Sequence, residues 1–191
     1  MFNDLDQYVS IISVRLKPSR LVHTLGVMNK AGELAEIHGC SKEKAMIAGV
    51  LHDYAKNLSI EELNEYILKH NIEVDKESSM NINLMHGIVG AYMVREDLAI
   101  EDDEILDAIS YHTFGRENMS ILEKVVFLAD AIEDGREYKG VDEIRDISKT
   151  NLDKAIIESI ENTIEHVFKA GHIVHLNSIR LRNELIEKHR I

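Results

Sequence analysis

A chain of 191 residues with 45% hydrophobic and 29% charged side chains is the size of one compact core, and no apolar run approaches the ~18 residues that a bilayer span needs. Its 34 acidic side chains outnumber the 22 basic ones, and the net charge of −12 argues against a general nucleic-acid or anionic-membrane surface, so a phosphate-bearing ligand needs a local basic cluster. The single cysteine, Cys40, excludes an internal disulfide framework, and the acidic start of Met1–Lys17 is unlike a secretory signal, so the expected compartment is the cytoplasm.

There is one proline, Pro18, and helical periodicity recurs in almost every segment, which predicts an all-α fold, a single helical bundle over residues 1–191. Leu5 to Leu16 predicts a first helix that stops near Pro18. Leu21, Leu25, Met28 and Leu34 trace the apolar stripe of a second, which carries His23 in its first turns and ends at Gly39. Ser41 is placed to cap a third, which runs through Ala45, Ala48 and Leu51 into His52-Asp53. Ser59-Ile60-Glu61-Glu62 and Ser120-Ile121-Leu122-Glu123 have capping-box spacing and open helices to about His70 and about Ala131. Between them lie a helix from about Asn81 to Leu98, with His86 near its start, and one from about Asp103 into Tyr111-His112. After a turn at Gly135 to Gly140, two helical patterns fill Val141 to Ala170 and a last covers about Ser178 to Lys188. No repeat, linker or domain boundary interrupts the series.

The ten histidines are not equivalent. His38, His70 and His189 fall near predicted helix C-termini, where surface compensation of the helix dipole is the expectation, and His166 reads as packing on an amphipathic face. His23, His52, Asp53, His86, His112 and Asp130 instead lie at or near helix ends or first turns, on five separate helices. Imidazole and carboxylate suit iron, manganese, zinc or nickel, and converging helices can supply them one or two at a time. His52 and Asp53 would not face the same way along a helix, but in a last turn both can lean toward a metal off its end. For any one of these histidines alone, packing is the commoner explanation. The order His, His-Asp, His, His, Asp is what singles them out.

That order resembles the motif of the HD-domain metallohydrolases. The stretches SRLVHTLGV around His23, ISYHTFGR around His112 and KVVFLADAIEDGREYKGVDEIR around Asp130 narrow the resemblance to the YqeK-type bacterial proteins, symmetrical diadenosine tetraphosphate hydrolases that release two ADP and carry iron. It extends over almost the whole chain, through the closing VHLNSIRLRNEL. The chain departs from that family at His175-Leu176, where His-Pro is usual, and at Glu133-Asp134-Gly135, which replaces a Glu-Pro pair. Both departures are expected to alter loop shape more than ligands.

The resemblance implies a core metal site within about residues 19–135, with His23, His52, Asp53 and Asp130 holding the principal metal and Asp53 able to bridge to a second. His86 and His112 would face the second metal or the phosphates. Asp53, Lys56, His86 and His112 are then the catalytic candidates, and Arg20, Lys56, His86, His112, Thr113, Arg136 and His175 the substrate-binding ones. Iron is the implied cofactor, as one or two ions, with manganese or another divalent transition metal also suited to the ligands. Independently, a metal in such a set activates water near neutral pH and neutralises phosphoryl charge. Arg20, three residues before His23, and Lys56, three after Asp53, belong with Arg116, Arg136, Arg180 and Arg182 to the basic cluster that a polyphosphate needs.

The leading expectation is a hydrolase of a small dinucleoside polyphosphate, with no nucleic-acid or membrane partner, as monomer or homodimer. The same site would also serve a nucleotidase, a cyclic-nucleotide phosphodiesterase or a guanosine-polyphosphate hydrolase. A non-enzymatic nucleotide sensor is a third reading. It leaves Lys56, His86 and His112 without a task, since four ligands suffice for a structural metal.

Overall fold

The computed structural model describes residues 2–189, and the side chains of residues 5–189. Among these residues are eleven helices and no strand, so the fold is all-α. In chain order they are α1 (Phe2–Arg15), α2 (Pro18–His38), α3 (Lys42–Leu51), α4 (Ile60–His70), α5 (Lys76–Ser79), α6 (Ile82–Leu98), α7 (Asp103–Tyr111), α8 (Ile121–Ile132), α9 (Val141–Ser148), α10 (Leu152–Lys169) and α11 (Leu176–Lys188). None is long and apolar enough to cross a membrane.

Local chemistry explains most of the boundaries. Ser59 and Ser120 accept the backbone N–H of Glu62 and Glu123, whose carboxylates reach back to the N-cap N–H, so both capping boxes are complete. Ser41 caps α3 by accepting from the Lys44 N–H. Pro18 opens α2 from its first turn, where a missing N–H is tolerated, and Gly39 ends that helix at φ 78°. Helix α5 has no counterpart in the sequence reading, because a single turn is too short to show periodicity; Asp75 caps it through Ser78 N–H. Helix α11 begins two residues before the expected Ser178, because the His175 ring caps it, with Nδ1 accepting from Asn177 N–H at 3.1 Å.

Helix α2 packs on α3 and α8, and α7 packs on α3, α6 and α8. The contacts are made by small and branched residues: Val27, Ala31, Leu34 and Ala35 of α2, Ala45, Ala48 and Leu51 of α3, and Val125, Val126, Leu128 and Ala129 of α8 are all buried. Helix α6 is buried over most of its circumference, from Met85 to Ala91. The α2–α3 pair is drawn close by Gly49, where an added Cβ would lie 2.9 Å from Met28 Cα. Backbone cannot retreat as a side-chain tip can, so Gly49→Ala is expected to destabilise the fold by about 1–3 kcal/mol, read as a Tm loss in thermal unfolding of roughly 2–4 °C per kcal/mol. An unchanged Tm would show that the two helices separate freely.

Two of the three helix-end histidines do more than face the dipole. His38 Nε2 is 2.7 Å from Ser148 O and ties the end of α2 to the end of α9. His70 stacks on Tyr66 at 4.2 Å between centroids, and its Nδ1 lies 3.0 Å from Glu96 Oε1. His189 is half exposed, 3.4 Å from Asp153.

Candidate metal centre

Five helices each bring a metal-ligating residue type to one place. His23 sits in the first turns of α2, His86 within α6 and Asp130 near the end of α8. His52 is the C-cap residue of α3 and His112 that of α7, both still in right-handed helical conformation. The chain leaves α3 through consecutive turns from His52 to Asn57, which lets Asp53 turn toward the side on which His52 projects.

The donor atoms converge closely. His23, His52 and Asp130 offer three ligand atoms within 4.8 Å of one another, and His52, Asp53 and His112 offer a second such set. His23 Nε2 lies 3.0 Å from Asp130 Oδ1 and 4.0 Å from Asp53 Oδ2. His52 Nε2 lies 3.2 Å from Asp53 Oδ2. His86 Nε2 is 3.1 Å from both Asp53 Oδ1 and His112 Nε2.

Which nitrogens face inward follows from the opposite side of each ring. His52 Nδ1 is 2.7 Å from Gly49 O, and His112 Nδ1 is 2.7 Å from Ile109 O, so in each case Nδ1–H donates to a carbonyl. Both carbonyls belong to last helical turns, whose C=O groups lack helical partners. His23 Nδ1 lies 3.1 Å from Glu133 Oε1. The bare Nε2 lone pairs of His23 and His52 therefore point at carboxylate oxygens and that of His112 at His86 Nε2, and the buried Nε2 atoms of His23 and His52 make no hydrogen bond among the described residues. Lone pairs facing carboxylates repel unless a cation lies among them, and the donor set is the one that divalent transition metals take. These residues fit a metal.

The electrostatics of Asp53, Asp130 and His112 suit a metal, while His52 is drawn toward its protonated form, a proton there easing the same repulsion that a cation would. Burial works against the Asp53 and Asp130 carboxylates, yet His52 and His86 hold Asp53, and His23, His52 and Arg136 hold Asp130, well below the usual carboxylate range. Burial, reinforced by His52 and His86, pushes His112 down to about 3, which keeps its ring neutral. For His52 burial again opposes charge, but Asp53 outweighs it and raises its pKa.

Of the substrate-binding candidates, Arg20 Nη1 donates to Asp53 Oδ2 at 3.1 Å, and Arg136 Nη2 donates to Asp130 Oδ1 at 2.6 Å. Both guanidiniums thus sit on the carboxylates of the centre. Lys56 Nζ reaches Asn83 Oδ1 at 3.3 Å, its pKa lowered by burial against the pull of Asp53. Thr113 Oγ1 is buried without a hydrogen-bond partner among the described residues. His175 makes its contacts elsewhere: Nε2 is 3.1 Å from Asp75 Oδ1 and 3.2 Å from Ser78 Oγ, and the ring stacks on Phe114 at 4.0 Å. It joins α11 to α5. Arg116 is engaged by Glu123 and Asp107, and Arg182 by Glu161.

From the sequence Glu133 is expected only in a loop. It is buried, with Oε1 against His23 and Oε2 accepting from Gly135 N–H at 2.6 Å. A signal existed: an acidic residue three positions after Asp130 on the same helix end lies near the same site.

The family model described as HD domain matches residues 20–135. A Bacillus subtilis protein named bis(5'-nucleosyl)-tetraphosphatase, symmetrical, is 40% identical over 181 residues, 95% of this chain and 97% of the relative. A Staphylococcus aureus protein of the same name is 35% identical over 171 residues, 88% of each chain. A crystal structure at 1.50 Å from Clostridium acetobutylicum, described as a predicted HD superfamily hydrolase involved in NAD metabolism, superposes with a TM-score of 0.91 at 42% identity, covering 96% of this chain and 97% of that one.

Proposed function

The chain belongs to the HD domain family, and on that premise we propose that it hydrolyses diadenosine tetraphosphate symmetrically to ADP at a divalent metal held by His23, His52, Asp53 and Asp130. The observation that carries this reading is the set of inward-facing imidazole and carboxylate donors ringed by Arg20, Lys56 and Arg136, in a protein whose net charge is −12. Arg20 and Arg136 counter the buried carboxylates, and Lys56, whose contact is the neutral Asn83, is the cation left to meet phosphates. The names of the Bacillus and Staphylococcus relatives support the substrate.

When bound, the metal supplies water activated near neutral pH and neutralises charge on phosphoryl oxygens. The protein's part is positioning and charge. Symmetrical cleavage adds water across the central anhydride, so the attacking oxygen ends on one β-phosphate and the bridging oxygen leaves with the other. That leaving group is already a good one. A cation beside it is therefore worth more than a strong general acid, and Lys56 is the candidate for this place. Arg20 and Arg136 orient the ligand carboxylates, Asp53 and Asp130, and bring guanidinium charge to the same centre. His112 stands close enough to His52 and Asp53 to complete a ligand set, and His86 holds Asp53 from its other oxygen. Thr113 offers a buried hydroxyl without a hydrogen-bond partner among the described residues, and His175, held by Asp75 at the start of α5, is the remaining substrate-binding candidate. Iron is the proposed metal, by the resemblance, and the cytoplasm the proposed compartment.

Metal analysis of freshly purified protein, with identification of the product nucleotides, tests the whole. ADP as sole product is expected, whereas ATP with AMP would overturn symmetrical cleavage. The description of the Clostridium neighbour makes NAD a second substrate to offer, and preferential turnover of NAD would move the assignment within the same chemistry.

Lys56→Ala tests the phosphate side cleanly, because Lys56 touches Asn83, whereas Arg20 also touches a ligand carboxylate. A charge-assisted hydrogen bond is worth about 1.5–3 kcal/mol, so kcat/KM should fall roughly ten- to a hundredfold at unchanged metal content. Wild-type kinetics would place the phosphates elsewhere.

A further inference from the structure

His23 poses a problem that the other histidines of the centre do not. His52 and His112 cap their helices, so each fixes its ring on a carbonyl of its own last turn, Gly49 O or Ile109 O. His23 lies near the start of α2, where every nearby carbonyl is taken by the helix that follows. Its Nδ1 needs an acceptor from another element. The one present is a carboxylate, Glu133 Oε1, from the residue that ends α8, 110 positions further along the chain.

We propose that Glu133 is a positioning residue: it fixes the tautomer and ring angle of His23, makes that imidazole the most electron-rich nitrogen donor of the centre, and so sets metal affinity. This rests on the metal-centre reading above. Three features argue that the contact is built. Both carboxylate oxygens are used, Oε1 on His23 and Oε2 on the Gly135 N–H, so the group cannot rotate without losing a bond. The backbone is held as well, with the Glu133 N–H donating to Ala129 O and its carbonyl accepting from Arg145 Nη2 at 2.7 Å. And α2 leaves room for the carboxylate: Gly26 lies one turn after His23, and a Cβ there would come 2.5 Å from Glu133 Oε2. A metal-bound imidazole that donates its second N–H to a carboxylate is a stronger ligand than one facing a neutral carbonyl. The segment Glu133-Asp134-Gly135 keeps the glutamate of the Glu-Pro pair and departs only after it, so the contact with His23 stands apart from the departure.

The test uses Glu133→Gln and Gly26→Ala in the full chain, with metal affinity measured by competition against a chromophoric chelator. Glutamine keeps the volume but has one acceptor oxygen where two donors must be met. Gly26→Ala leaves Glu133 in the chain and pushes its carboxylate away. Both should weaken metal binding about ten- to a hundredfold, while the Tm of the metal-free protein falls by no more than about 4 °C. In a His23→Ala background, Glu133→Gln should change the residual affinity by less than about twofold, since the two act as one unit. Wild-type affinity in Glu133→Gln, or an undiminished loss in the His23→Ala background, would overturn the proposal alone. A wild-type protein that binds no divalent metal would overturn the centre itself. Should Gly26→Ala fail to fold, Glu133→Gln still decides.

Discussion

Asp53→Ala is expected to lower hydrolysis by at least about a thousandfold, the upper range for removing an electrostatic group from a preorganised site, and to lower metal content with it. Asp53 is buried and meets Arg20 at 3.1 Å, His52 at 3.2 Å and His86 at 3.1 Å. No neighbouring oxygen can replace it among these three, because each is a nitrogen. The same removal leaves the Arg20 guanidinium facing the imidazoles without its counter-charge, which repels a metal further. Asp53→Asn keeps the volume and one acceptor but not the charge, so near-equal loss in both variants would assign the effect to charge. Rate and metal stoichiometry are measured on the same preparation. A folded Asp53→Ala protein with undiminished turnover would sink the proposed centre.

His112→Ala and His86→Ala are expected to part company. His112 has Nδ1 committed to Ile109 O, a ring kept neutral by burial and by its neighbours, and Nε2 within ligand reach of the His52 and Asp53 donors. Its loss should weaken metal binding on the order of a hundredfold, and activity should fall in step. His86 belongs to neither ligand set, and its buried Nδ1 has no hydrogen-bond partner among the described residues. It should therefore act on Asp53, and His86→Ala should retain metal while losing roughly ten- to a hundredfold in rate. Metal stoichiometry measured beside kcat distinguishes them. The reverse pattern would exchange the two roles.

The helices and the centre's inner residues are legible in the sequence for a common reason: they rest on short-range rules. Ser59 and Ser120 announce their helices through a carboxylate three residues on, and His52-Asp53 stands out because a polar pair follows an apolar turn. What the sequence hides are long-range partners. Its place three residues after Asp130 puts Glu133 near the centre but does not name His23, 110 positions earlier, as its partner. A motif makes His175 a substrate candidate, and only the assembled chain shows its ring on Phe114, which follows α7, and its Nε2 beside Asp75, which caps α5. Helix α5 itself was invisible because one turn carries no period.

The separation of His23 from Glu133 and Asp130 also has a temporal side. At synthesis rates of about 5–20 residues per second, the 110 positions between His23 and Glu133 correspond to roughly 5–20 s during which α2 exists without α8. Throughout that interval His23 has neither Glu133 nor Asp130, so the set of His23, His52 and Asp130 cannot assemble until α8 docks on α2. The set of His52, Asp53 and His112 lies wholly before α8 in the chain, so the two halves of the centre become available at different times.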